Sequence, residues 1–283
     1  MSILQQALGR VRRQPAEAVR YALGRFHNVR RFYSLARHVG DQLGGPQVDG
    51  SRPTLFPDVD VEAAVGGLTD HAVAFGFDLT PALVAELREI ADTFPCIVQA
   101  DPPVFFKRDV RDGRLPNGNK AILARVIGAE STEPVRRIAE DPRVLDVIHR
   151  YLGYRPKERL VRLMWSFVND VEDRTRKADG QTVDYHFDVA SFNFLYANYY
   201  ISDVDEDSGA HAMIASSHRH KPLPWLFGSA NRPNADVLAH YGRENELVVV
   251  GPAGIGFMQD ASCYHKALAP KTRERLMLQV RYT

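Results

Sequence analysis

The stretch Val183-Asp184-Tyr185-His186-Phe187-Asp188 alternates apolar and polar residues without a break. That is the pattern of a β-strand with one face buried: Val183, Tyr185 and Phe187 go to one side, Asp184, His186 and Asp188 to the other. Around it the chain keeps the same texture. Leu160 to Val168 is an apolar run, and Phe192 to Ile201 is rich in aromatics. Leu247 to Val250, Ile255 to Met258 and Arg275 to Tyr282 follow, each short and bounded by Gly, Pro or Asp. Short strands with turns and no helices between them predict an antiparallel sandwich or barrel. Upstream of Gly153 the texture is helical. One helix starts at Thr80-Pro81, a capping residue followed by proline at the first helical position. Another runs from Thr132 to Leu152 in two pieces split at Asp141-Pro142. Asp101 to Lys120, polar and proline-bearing, reads as a long loop. Helices first and strands second predict an α+β fold, mainly β, with the helices packed on one side.

The composition narrows the class. The chain has 283 residues, 45 % hydrophobic and 25 % charged, with a formal net charge of +1. Nothing in that balance marks a nucleic-acid binder, and no stretch approaches the roughly 20 apolar residues of a membrane helix. The first thirty residues lack an apolar signal core, and the two cysteines, Cys96 and Cys263, are far apart, so a reducing, cytoplasmic setting is expected. The charge is uneven, however. Residues 1–40 hold eight arginines and one acid, Glu17, a net +7 that leaves −6 for the rest. Val19, Ala22, Leu23, Phe26, Val29, Tyr33 and Ala36 form a helical stripe there. Such a helix can rest on an anionic membrane surface or an acidic partner through residues 10–38, or pack on its own domain with its basic face solvated. Residues 41–60, rich in Gly and Pro, read as a linker. The expected division is therefore a basic helical extension and linker over 1–60 and a single domain over 61–283.

His186 and Asp188, two apart on one strand, reach one point and offer an imidazole and a carboxylate to a metal. His265 is the best third ligand. Two histidines and one carboxylate leave open positions, the arrangement of non-haem iron(II) oxygenases, and the absence of thiolate argues against structural zinc. Arg275, ten residues later, begins the last strand and shares a face with Met277, Gln279 and Arg281. A fixed guanidinium beside the metal can hold one carboxylate of a 2-oxo acid whose other end chelates the ion.

The order His186-x-Asp188, His265, Arg275 resembles the iron(II)- and 2-oxoglutarate-dependent dioxygenases, and among them the phytanoyl-CoA dioxygenase family. Asp207-Ser208-Gly209-Ala210-His211 through Ala215-Ser216-Ser217-His218 is similar to that family's Asn-Gly stretch leading to Gly-Ser-His, with Ser208 and Ala215 as departures. Gly76-Phe77 and the pair Asp141-Pro142 before Leu152-Gly153 add to the resemblance, which spans roughly residues 65–283. It implies a double-stranded β-helix, a cupin-like jelly roll with iron at its mouth. It implies His186, Asp188 and His265 as metal ligands, Arg275 for the 2-oxoglutarate carboxylate and Asn198 as a further cosubstrate contact. It also implies Fe(II), 2-oxoglutarate and O2 as the reacting set, and a hydroxylase that releases succinate and CO2. Because Asp188 fills the position that halogenating relatives leave open, halogenation is not expected.

The implied substrate is a small molecule, anionic or lipid-linked if the basic helix bears on it. The alternative class is a cupin-like metal-binding protein or metalloenzyme that does not use 2-oxoglutarate. Elsewhere, His211, His218 and His220 read as structural or substrate-facing and Trp165 as core or pocket wall. The run Glu172 to Lys177 reads as solvated or as a lid, and Leu223 to Phe227 as an exposed apolar knot able to wall a pocket.

Overall fold

The protein is described here by a computed structural model covering residues 15–42, 53–98, 104–178, 181 and 183–283. Its strands form two antiparallel sheets. The first runs β1 (Val73–Phe75), β11 (Gly256–Gln259), β7 (Leu195–Tyr200), β13 (Arg275–Tyr282), β5 (Arg159–Ser166), β4 (Leu123–Val126), β2 (Pro95–Val98), β3 (Phe105–Phe106). The second runs β10 (Glu246–Val249), β8 (His211–Ile214), β12 (His265–Ala267), β6 (Tyr185–His186), β9 (Asn231–Arg232). Residues of both sheets line one cavity between them. This is the expected mainly-β jelly roll.

Strand β13 shows why the layers form. Leu276, Leu278, Val280 and Tyr282 point away from the cavity and are fully buried. They share a core with Leu163 and Trp165 of β5 and Tyr199 of β7. Onto that face pack α3 (Val61–His71), α4 (Pro81–Thr93), α5 (Glu133–Ala139) and α6 (Pro142–Leu152), through Leu68, Leu87, Ile138 and Ile148 among others. The alternate residues of β13, Arg275, Met277, Gln279 and Arg281, face inward, and the first three line the cavity. The sheet is thus apolar outward, where helices cover it, and polar inward, where a ligand space lies.

Local chemistry sets the helix ends. Asp60 and Thr80 cap α3 and α4 by accepting the amides of Ala63 and Leu83. Asp141 caps α6 through the amides of Arg143 and Val144, and its buried carboxylate also takes the Leu55 amide at 2.6 Å. Gly153, at φ 76°, ends α6 in the left-handed region that favours glycine.

The observed elements differ from expectation in places. The stretch Asp101 to Lys120 is not simply a loop: its described part holds β3, a 3-10 turn and the bridge Arg114–Lys120. Strands β1 to β4, β8, β9 and β12 are two to four residues long, too short to show a period of two, so only their partners define them. Along 183–188 the burial alternates as read, but ladder pairing is confined to Tyr185–His186.

The N-terminal helices α1 (Pro15–Leu23) and α2 (His27–Gln42) break at Gly24, where a Cβ would meet the Ser191 carbonyl at 2.9 Å. The anticipated apolar stripe is buried only in part: Phe26, Val29 and Tyr33 are half-buried, with Tyr33 packed on Tyr154, whereas Ala22 and Ala36 are exposed. Val19 and Leu23 are exposed, as are Phe32, Leu35 and Val39, whereas Arg30 is buried. Residues 1–14 and 43–52, which carry part of the basic segment and of the linker, lie outside the described residues. No described helix is long and apolar enough to cross a membrane.

Candidate metal centre

His186 on β6 and His265 on β12 stand directly opposite each other in the ladder, with ring centroids 4.2 Å apart. Asp188, just past the end of β6, is fixed by its amide, which donates to the Ala261 carbonyl at 2.8 Å. One potential ligand atom from each of the three lies within 4.8 Å of the other two. Both imidazoles are oriented by main-chain carbonyls: Nδ1 of His186 lies 3.3 Å from the Asp184 oxygen, and Nδ1 of His265 lies 3.0 Å from the Cys263 oxygen. A carbonyl only accepts, so each Nδ1 carries the proton and each Nε2 presents a lone pair. Burial, and then the neighbouring His265, lowers His186 to about 4, so its ring is neutral at pH 7, as a ligand must be. Tyr196 donates its hydroxyl to Asp188 Oδ2 at 2.9 Å, and Oδ1 sits 3.7 Å from His186 Nε2. Two neutral imidazole nitrogens and a carboxylate oxygen thus converge with their outer atoms already satisfied. This donor set fits a borderline divalent ion such as Fe(II).

The three residues line a cavity of about 500 Å³. Arg275 lines it too, 4 % exposed. Its guanidinium donates to the Gly209 carbonyl and to Ser166 Oγ at 3.3 Å, and its Nε has no partner. Among the described residues no carboxylate pairs with it. Burial lowers its pKa, the sign of a cation without a counter-charge. A buried guanidinium of this kind fits an anionic ligand supplied from outside the chain.

No protein-family model and no curated relative matches the chain. Solved structures do. The non-heme alpha ketoglutarate dependent epimerase SnoN from nogalamycin biosynthesis matches with a TM-score of 0.54 and 17 % identity, over 79 % of this chain and 82 % of that one. The non-heme alpha ketoglutarate dependent carbocyclase SnoK, from the same biosynthesis, matches at 0.53 and 16 %, over 82 % and 86 %. EctD from S. alaskensis, solved with 2-oxoglutarate and 5-hydroxyectoine, matches at 0.55 and 17 %, over 84 % and 80 %. The chain has their fold.

The remaining residues singled out in the sequence are placed as follows. Asn198 is buried on β7, accepts a hydrogen bond from Gln279 at 3.0 Å and leaves its own Nδ2 without a partner. It pairs in register with Gln279, four residues along β13 from Arg275. His211 opens β8 and lines the cavity, and its ring lies 5.4 Å from that of His265 with Nε2 unpartnered. His218 Nε2 instead donates to the Thr69 carbonyl at 3.1 Å. In the charged run Glu172 to Lys177 five residues are exposed, whereas Arg176 is buried and bonded to Gln181 and Asn169. Trp165 is core, with its indole donating to the Ala91 carbonyl. Trp225, in the apolar knot, packs on Tyr264 and Tyr241 away from the cavity. Burial pushes the Cys263 thiol up to about 12, which leaves it inert as a nucleophile.

One functional feature had no visible signal in the sequence. Asp260, buried, accepts from Arg30 Nη2 at 2.7 Å, from the Tyr151 hydroxyl at 2.6 Å and from the Ser262 amide at 2.9 Å. Arg30 also donates to Asn193 Oδ1 at 2.6 Å and to Ser262 Oγ. Burial alone would raise the Asp260 carboxyl, but Arg30 outweighs it and holds the group well below the usual carboxylate range. The carbonyls that orient two of the three candidate ligands, Ala261 for Asp188 and Cys263 for His265, lie within three residues of Asp260 along the chain. Helix α2 therefore clasps the segment on which the centre is built.

Proposed function

We propose that this protein is an iron(II)- and 2-oxoglutarate-dependent dioxygenase acting on a small molecule. The observation that carries the reading is the meeting, in one cavity, of an oriented two-histidine, one-carboxylate set and a buried guanidinium without a counter-charge. His186 Nε2, His265 Nε2 and an Asp188 oxygen would hold the ion, and Arg275 would hold the carboxylate of 2-oxoglutarate remote from it. The bound iron, with 2-oxoglutarate and dioxygen, supplies oxidation of an unactivated C–H bond with release of succinate and CO2. The chain's own part is positional. Carbonyls 184 and 263 fix the imidazole tautomers, and Tyr196 holds the carboxylate. Arg275, on the inward face of β13, would hold the cosubstrate carboxylate remote from the ion. Within the class we assign hydroxylation. Asp188 fills the third ligand position and leaves no vacated place for a halide.

The test is an anaerobic titration with Fe(II) and then 2-oxoglutarate. A weak visible charge-transfer band is expected in the wild type and not in His186→Ala. If iron binds and no band forms, the cupin-like reading without 2-oxoglutarate replaces this one.

A further inference from the structure

The inner face of the first sheet is built in cross-strand rows. Leu123, Ser166 and Arg275 form one row. Ile97, Arg125, Met164, Met277 and Tyr200 form the next. Arg162, Gln279 and Asn198 form the third. Arg162 is four residues from Ser166 along β5, so its row lies about 13 Å from that of Arg275 at the usual strand rise. The cavity thus has a cation at each end of this wall.

Arg162 and Arg125 both line the cavity, and as diagonal neighbours in adjacent rows they stand within side-chain reach of each other. Among the described residues neither makes an ion pair, whereas Arg150, Arg159 and Arg273 each meet a carboxylate. The one carboxylate among the described lining residues is Asp188, which belongs to the metal set. Two adjacent like charges facing a cavity with no acid between them repel each other, and an oxyanion placed there relieves the repulsion. The row between the two ends carries Ile97, Met164 and Met277.

We propose that the primary substrate bears a carboxylate or phosphate which Arg162 binds at the end of the cavity away from Arg275. Arg125 adds to the field there, and an apolar portion of the substrate lies along the Met164–Met277 wall. This rests on the reading of Arg275 as the cosubstrate anchor, which leaves Arg162 for the second molecule. The anionic character assigned here comes from the cavity and does not depend on the N-terminal helix.

The experiment is calorimetry on the full chain loaded with Mn(II), which does not turn over, and 2-oxoglutarate. Three probes are titrated: hexanoate, hexyl phosphate and hexanol. At least one anion is expected to bind about tenfold or more tighter than hexanol, and Arg162→Gln to lose at least about tenfold of that affinity, the effect of one charge-assisted contact. Arg162→Lys should keep part of it, and 2-oxoglutarate binding should be the same in all three proteins. The anion bound tighter identifies the group. Hexanol binding as tightly as the anions, neither anion binding, or an Arg162→Gln variant that binds anions like the wild type would each overturn the proposal. A variant that merely misfolds would lose 2-oxoglutarate as well, and Arg162→Lys then decides. If the wild type itself binds no 2-oxoglutarate, it is the dioxygenase reading that fails, and the anion titrations repeated without cosubstrate still judge Arg162.

Discussion

Arg30 and Arg275 are buried to the same degree, 4 % exposed each, yet their surroundings are opposite. Arg30 meets the Asp260 carboxylate, Asn193 and Ser262, and its pKa is raised despite full burial. Arg275 meets a carbonyl and a hydroxyl, and its pKa is lowered. One guanidinium has its counter-charge inside the fold and ties helix α2 to the segment 260–265. The other has only neutral acceptors and stands at a cavity wall. A satisfied buried charge holds structure, whereas an unsatisfied one marks where a ligand completes the electrostatics.

The largest expected effect separates the two directly. Arg30→Met strands the Asp260 carboxylate and should cost about 3–5 kcal/mol in urea unfolding. Arg275→Met removes an uncompensated charge and should leave stability unchanged or higher. A comparable loss in both would erase the distinction. Ligand binding should reverse the order. With Mn(II) present, Arg275→Met should lose about tenfold or more in 2-oxoglutarate affinity, and the thermal stabilisation that 2-oxoglutarate gives the wild type should vanish. Tyr196→Phe tests a contact between these extremes. Its hydroxyl touches the candidate metal ligand Asp188, so Mn(II) affinity should fall about tenfold while the unfolding midpoint hardly moves. The smallest effect is that of pH. Asp260 has its folded value depressed below the ordinary unfolded one of about 3.9, so its stabilising contribution is complete above that value and shrinks as pH falls through it. The stability gap between wild type and Asp260→Asn should therefore narrow between pH 6 and pH 3, while that for Arg275→Met stays flat.

What the sequence made legible follows from range. The alternation at 183–188 and along 275–282 is local, so the shared face of His186 and Asp188, and that of Arg275, Met277 and Gln279, could be read directly. The helix boundaries at Thr80-Pro81, Asp141-Pro142 and Gly153 are likewise local capping chemistry. The pairing of Arg30 with Asp260 spans 230 residues and joins two unremarkable positions, so no periodicity announces it. The strand that carries His211 was not legible because β8 is four residues long and lies between two turns. The stripe over α1 and α2 told only part of the packing, because the most deeply buried described side chain of α2 is Arg30, and hydrophobic periodicity assumes that what is buried is apolar.

The division of labour along β5 and β13 has a consequence for how such a protein can be altered. Their outward residues belong to the helix-covered core, and their inward residues belong to the cavity. Exchanging Arg162 or Gln279 therefore rewrites what the cavity admits without touching the helix-covered core, whereas Met164 and Met277 also pack in an inner apolar cluster with Tyr200 and Phe257. A combinatorial library confined to Arg162 and Gln279 explores new substrates on a scaffold whose helix-covered core lies on the other side of the same backbone.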